Sequence, residues 1–207
     1  MNKIDYLNKK EVYDYYADNY HKMKEYLDGK KIMAVQMVPY PVIRKHEKGK
    51  PIIITKFNPF DKSDRNNFFY YPDKHYVDFH IIHGPTTDII PIDIDPNNVS
   101  KGRVETVTRI VKNIMKSVSD DIEVFHSGGR GYHIMVKLKK PINTRLAKSI
   151  VDTRVAPIVK NISYITDRPP EKGEIRIDTS TLHPGGSIRV PYSINYKTGI
   201  PSRKVNI

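Results

Sequence analysis

Cysteine is absent from the 207-residue chain. That absence removes disulfides, thiolate nucleophiles and every cysteine-based zinc site, so no zinc site is expected here. Long apolar runs are missing too: none approaches the ~18 residues that a membrane span requires. The opening stretch MNKIDYLNKKEVYDYY lacks the apolar core of a secretion signal. A cytoplasmic location without a membrane partner is therefore expected. There is no internal repeat and no low-complexity linker. Acid is missing from the end of the chain: the 29 residues after Asp178 hold Arg189, Lys197, Arg203 and Lys204 but neither Asp nor Glu.

What is present describes a polar, globular, basic protein. Hydrophobic residues make up 38% and charged residues 28%, in a chain long enough for one large domain or two small ones. The net charge is +12 and the pI about 9.6, a balance that favours polyanionic partners such as nucleic acid or nucleotides. A basic surface without special purpose is the competing explanation. The one-signed tail favours an anion site over it.

Periodicity predicts a helix over residues 12–27, with Tyr13, Tyr16, Tyr20, Met23 and Leu27 at helical spacing and Gly29 as a stop. KIMAVQMV and PIIITKF read as a hairpin around KHEKGK, FNPFDKSDRNN as a loop, and YVDFHIIH as a strand. From there the order is a strand at 88–95, a helix at 103–118, strands at 122–127 and 131–138, a helix at 144–162 kinked near Pro157, and a strand at 174–178. This is β-α-β-β-α-β, the ferredoxin-like or RRM-like arrangement. The expected class is α/β (α+β): an N-terminal α/β portion, residues 1–85, packed on a βαββαβ core, residues 86–207, with a soft boundary and one integrated catalytic unit overall.

Three stretches carry candidate chemistry. In PIDIDPNN, Asp93 and Asp95 stand two apart on a strand, so both carboxylates point to one face roughly 6–7 Å apart. Such a pair repels unless a cation sits between its members, and hard Mg²⁺ or Mn²⁺ meets that need. A solvated turn is the bland reading of the same pair. In HSGGRGYH, Gly128, Gly129 and Gly131 permit positive φ and close backbone approach, while Ser127, Arg130 and His133 supply anion donors. The bland reading is a glycine-rich hairpin with His126 structural or facing solvent. In IRIDTSTLHPGGSIRVPYSINYKTG, Asp178 closes the last strand, where it completes a metal site with Asp93 and Asp95 or caps a turn. Arg189, Ser193 and Lys197 follow as anion-binding groups.

Together these stretches resemble the catalytic motifs of the archaeo-eukaryotic primase (primase-polymerase) superfamily. Its members include replicative primase small subunits, primase-polymerases and the polymerase domains of end-joining ligases. IDIDP matches its Asp-x-Asp motif, SGGRGYH its Ser-Gly-x-Arg-Gly-x-His run, IDTS its hydrophobic-Asp pair and RVPYSINYKTG its final motif, in order, over residues 88–200. The resemblance implies that Asp93, Asp95 and Asp178 are catalytic and hold two divalent ions, Mg²⁺ or Mn²⁺. It implies that Ser127, Gly128, Arg130, His133 and Lys197, with Arg189 and Ser193 nearby, bind the incoming NTP or dNTP. Single-stranded or primer-template DNA is then the implied polymeric partner, with lysines and arginines such as Arg44, Lys56 and Arg65 candidates for template contact. Asn195 stands where primases carry histidine and Tyr192 where they carry glycine; Tyr192 leans towards the end-joining branch and Lys197 back towards primases. The chain ends soon after the last motif, as expected of a catalytic core belonging to a larger replication, repair or defence system.

Template-directed nucleotidyl transfer is thus the first expectation. A non-catalytic single-strand-binding module on the same scaffold is the second, but such modules place stacking aromatics on their central strands, where this chain carries Asp93, Asp95 and Ser127. A metal-dependent nuclease is the third; it leaves Ser127, Arg130, His133 and Lys197 without purpose.

Overall fold

The structure, a computed structural model, describes residues 3–5, 8–38, 47–48, 52–54, 76–160, 164–165 and 169–207. Internal contacts group the chain into two units: residues 1–82 with 189–202, and residues 83–188 with 203–207. The sequence reading kept 189–202 with the core, whereas the contacts join this segment to the N-terminal residues. The loop FNPFDKSDRNN, the turn KHEKGK apart from its central pair, and Arg44, Lys56 and Arg65 lie outside the described residues.

The first unit opens with helix α1 (Lys9–Leu27), begun by Asn8, whose side-chain oxygen accepts the Lys10 and Glu11 N–H groups at 3.1 and 3.3 Å. Its buried face is Val12, Tyr16, Met23, Tyr26 and Leu27, and Gly29 follows in the left-handed region at φ 65°. Strand β1 (Lys31–Val38) pairs antiparallel with β2 (Glu47–Lys48), β3 (Ile52–Ile54) and β4 (Tyr76–Ile82).

The second unit contains the expected βαββαβ order. Strand β5 (Thr86–Pro96) is followed by α2 (Lys101–Met115), β6 (Ile122–His126), β7 (Tyr132–Asn143) and α3 (Thr144–Arg154). Then come α4 (Ala156–Val159), β8 (Tyr164–Ile165), β9 (Ile175–Asp178) and β10 (Ser187–Arg189), the last of which ends on the first residue of the returning segment. The helix expected over 144–162 ends at Arg154, and Pro157 lies in the first turn of the short α4 instead. Proline lacks the N–H and crowds the preceding turn, so it suits a helix start better than an interior. Strands β11 (Ile194–Asn195) and β12 (Ile200–Pro201) pair as a small hairpin in the first unit, and β13 (Arg203–Lys204) returns to β6.

The sheet of the second unit runs β13-β6-β7-β5-β9-β8, which puts β5 in the middle with antiparallel neighbours on both sides. Strand alternation then decides what faces where. Ile90, Ile92, Ile94, Val124, Ile134, Val136, Ile175 and Ile177 form one buried cluster with Val104, Val107, Val111 and Met115 of α2 and Ala147 and Val151 of α3. At ~25 cal/mol per Å² of apolar surface, each fully buried side chain contributes about 1.5–3 kcal/mol. Because Ile92 and Ile94 point to the helices, Asp93 and Asp95 point to the other face.

Among the described residues no helix is long and apolar enough to cross a membrane.

Candidate active site

Register builds the site of the second unit. Asp93 on β5 lies opposite His133 on β7 and opposite Asp178 on β9, so one row across three strands reads His133, Asp93, Asp178. His133 Nε2 is 3.6 Å from Asp93 Oδ1. His133 and Asp178 are buried, while Asp93 keeps 27% of its side chain exposed. Asp95 follows on the same face, partly exposed and opposite Arg176 of β9.

Arg176 is the residue the sequence reading missed. Its guanidinium forms an ion pair with Asp178 Oδ2, and Asp178 Oδ1 accepts the Ser180 N–H at 2.8 Å. Asp178 therefore also does the turn-capping that was weighed against a metal role. The signal for Arg176 was in the sequence: in IRID, Arg176 and Asp178 are two apart on a strand and share a face. Beyond the turn, Thr179 is buried, its hydroxyl 2.9 Å from Lys148 Nζ and 3.2 Å from Asp152 Oδ1 of α3. These contacts fix the chain just after Asp178. Three carboxylates and one guanidinium thus share one face of the sheet, with Asp178 paired to the guanidinium. Among the described residues, no three Asp, Glu or His side chains already converge into a metal-binding group.

The glycine hairpin lies at the end of β6 and β7. Ser127 N–H donates to the Gly131 carbonyl at 2.9 Å and closes the turn. The Gly128 N–H donates to His126 Nδ1 and the Gly129 N–H to Ser127 Oγ, both at 3.2 Å. These two amides are thus held by the hairpin itself, so the successive N–H groups expected to cradle an anion are reduced. Of the three glycines, Gly128 uses positive φ, at 76°. Gly131 is required for a different reason: a Cβ there would meet the Ile94 carbonyl oxygen at 2.1 Å. Its bareness serves strand packing. Arg130 is exposed and makes no hydrogen bond or ion pair among the described residues.

The remaining predicted residues belong to the first unit. Arg189 Nε and Nη2 donate to Asp78 Oδ1 and Oδ2, each at 2.8 Å. Asp78 is fully buried and also meets His80 Nε2 at 3.1 Å, the Tyr196 N–H at 3.3 Å and Ser193 Oγ at 3.5 Å. Burial alone would raise its pKa, but the Arg189 guanidinium and His80 outweigh that and hold the carboxyl well below the usual range. Ser193 is buried, accepts the Phe79 N–H at 2.8 Å and lies 3.2 Å from the Tyr16 hydroxyl. Lys197 is exposed, its amine 5.9 Å from the Tyr196 ring centroid. Tyr192 holds φ 68°, the left-handed conformation that glycine adopts freely. Its carbonyl accepts the Tyr15 hydroxyl at 2.7 Å and its N–H donates to Ser202 Oγ at 3.0 Å.

The family model for the LigD primase-polymerase domain matches residues 8–201. The polymerase domain of Mycobacterium tuberculosis ligase D, solved in complex with DNA, shares the fold at a TM-score of 0.70 and 15% identity, over 93% of this chain and 80% of that one. The primase-polymerase AEP domain of cyanophage S-2L aligns at a TM-score of 0.48 and 12% identity, over 92% of this chain and 89% of that one. No curated protein matches the chain.

Proposed function

The chain belongs to the LigD primase-polymerase domain family, and from that premise we propose that it is a template-directed primase-polymerase. It moves a nucleotidyl group from an NTP or dNTP to a primer 3′-hydroxyl or an initiating nucleotide. A P–O bond forms at the α-phosphorus, pyrophosphate leaves and the hydroxyl loses its proton. The observation that carries this reading is the three-strand row of His133, Asp93 and Asp178 with Asp95 beside it.

The donor set fits a pair of divalent ions in kind. Carboxylate oxygens are the hard ligands that Mg²⁺ and Mn²⁺ prefer, and a cation of the chain's own, Arg176, already sits on Asp178. Asp93, Asp95 and Asp178 would hold the ions. Bound there, such ions would lower the cost of deprotonating the attacking hydroxyl and would neutralise charge on the leaving pyrophosphate.

The other side chains act on the triphosphate. Arg130, exposed on the hairpin, donates charge-assisted hydrogen bonds to phosphate oxygens. Ser127 Oγ accepts the Gly129 N–H, and its hydroxyl is of a kind that can also donate to a phosphate oxygen. His133, held beside Asp93, supplies a further donor. In the first unit, Arg189 and Ser193 frame the segment that ends in Lys197, and Lys197 offers its exposed ammonium to an anion. Single-stranded or primer-template DNA is the polymeric substrate proposed, consistent with the basic balance of the chain.

The test is incubation of a labelled primer-template with nucleotides in Mg²⁺ or Mn²⁺. Extension by the wild type and its loss in Asp93→Ala are expected. A shortened primer would instead favour a nuclease, and salt-dependent DNA binding without incorporation would favour a binding module.

A further inference from the structure

His126 stands one residue before the hairpin, on the opposite face of β6 from Ser127. It is half-buried, and its ring meets Tyr132 edge-on, with centroids 5.3 Å apart at 88°. Tyr132 in turn donates its hydroxyl to Glu105 of α2 at 3.1 Å. The ring is therefore anchored in the core through two further elements. What it does with that anchorage is accept the Gly128 N–H through Nδ1 at 3.2 Å. Gly128 is the residue at which the chain enters the left-handed region, φ 76°, and Arg130 lies two residues on. The hairpin is thus gripped from both faces of the sheet, by Ser127 Oγ on Gly129 and by His126 Nδ1 on Gly128.

An imidazole nitrogen that accepts a hydrogen bond must be unprotonated, so the network assigns the neutral ring with its proton on Nε2. The charged and titratable groups around it are Lys101 and Glu105 of α2, Tyr132 of β7 and Arg203 of β13. Burial, with Arg203 and Lys101, outweighs Glu105 and keeps the His126 pKa below its ordinary value. The same side chains line a groove of about 340 Å³ with Lys204 and the C-terminal residues. Two of the groove's cations are already committed to acids, Lys101 to Glu105 at 3.6 Å and Lys204 to Glu123. The groove therefore acts on His126 more than it offers a separate anion site.

We propose that His126 is a positioning residue of the anion-binding hairpin: its neutral imidazole fixes the Gly128 amide and so sets the course of the backbone that presents Arg130 to the nucleotide triphosphate. This rests on the proposed nucleotidyl transfer for the identity of the anion. His126 itself touches no substrate.

Two substitutions separate the acceptor from the packing. His126→Phe keeps a ring against Tyr132 and deletes the acceptor, with His126→Leu in its place should the ring variant not fold. His126→Asn deletes the ring but restores an acceptor oxygen near the position of Nδ1, the geometry of an Asx turn. Two readouts are needed: hydrogen exchange of the Gly128 amide in the ligand-free protein, and KM and kcat for dNTP on a primed template. In His126→Phe the Gly128 amide is expected to exchange about five- to tenfold faster and KM to rise by about the same factor, the size of one hydrogen bond. The kcat is expected to stay within about twofold, and His126→Asn to recover most of both losses. Equal exchange and equal KM in all three proteins would overturn the role of His126 and leave the proposed function standing. A wild type with no triphosphate affinity, but with the amide contrast intact, would overturn the proposed function and the anion-positioning role with it.

Discussion

Two clusters in this molecule join aspartate to arginine, and they are built for opposite ends. In the first unit Asp78 is fully buried, and both its oxygens are taken by Arg189, with His80, Ser193 and the Tyr196 amide completing the shell. Charge is balanced there. In the second unit Asp93, Asp95 and Asp178 share one face with one guanidinium, that of Arg176, and Asp93 and Asp95 remain partly exposed. There the acid exceeds the base. Burial with full pairing makes a structural brace; partial exposure with excess negative charge makes a place for a cation to arrive.

The contrast predicts that substitutions divide by cluster. Asp78→Ala is expected to cost about 3–5 kcal/mol of stability, because it removes a fully buried carboxylate and takes from the partly buried Arg189 guanidinium its bidentate acceptor. Chemical denaturation followed by circular dichroism measures this. Asp93→Ala or Asp95→Ala should do the reverse, lowering nucleotide incorporation by at least about a hundredfold while leaving the melting temperature unchanged or slightly raised. A large stability loss in Asp93→Ala would erase the distinction.

Acid sharpens the comparison further. A carboxyl held below its ordinary pKa adds stability that is complete above about pH 4 and disappears as pH falls below it. Wild-type stability should therefore drop below about pH 4, as read by melting scans across pH, and Asp78→Asn should flatten that slope. Gly131→Ala, which drives a methyl into the Ile94 carbonyl, is expected to cost about 1–3 kcal/mol and to reduce incorporation as β7 shifts against β5. The smallest effect belongs to Tyr192→Gly. It removes a side chain from a left-handed position and should change stability by less than about 1 kcal/mol in either direction.

Much of the second unit was legible because its signals are local. Alternation in PIDIDP, the 3.6-residue stripe of Val104, Val107 and Val111, and the glycines between two hydrophobic strands each report their own element. Their order then gave the sheet. What stayed hidden depends on partners distant in sequence. Nothing near Arg189 announces that its guanidinium is committed to Asp78, 111 residues away, so it read as an anion donor. Gly131 looked like ligand access because the carbonyl it must clear belongs to Ile94 on another strand. Arg176 and His126 were readable in principle, from strand period and from the i to i+2 acceptor pattern respectively. Positive φ at Tyr192 gives a physical reason for the glycine that the resembling primases carry at that place.

The central claim, that the acid-rich face of the second unit takes divalent metal and the Asp78 cluster does not, is tested most directly by Mn²⁺ titration. Binding is followed by the paramagnetic signal of free ion, in wild type, in Asp93→Asn with Asp178→Asn, and in Asp78→Asn. Saturable binding by the wild type and by folded Asp78→Asn, with its loss in the Asp93/Asp178 double variant, is the predicted result. Undiminished Mn²⁺ binding by the double variant would contradict it.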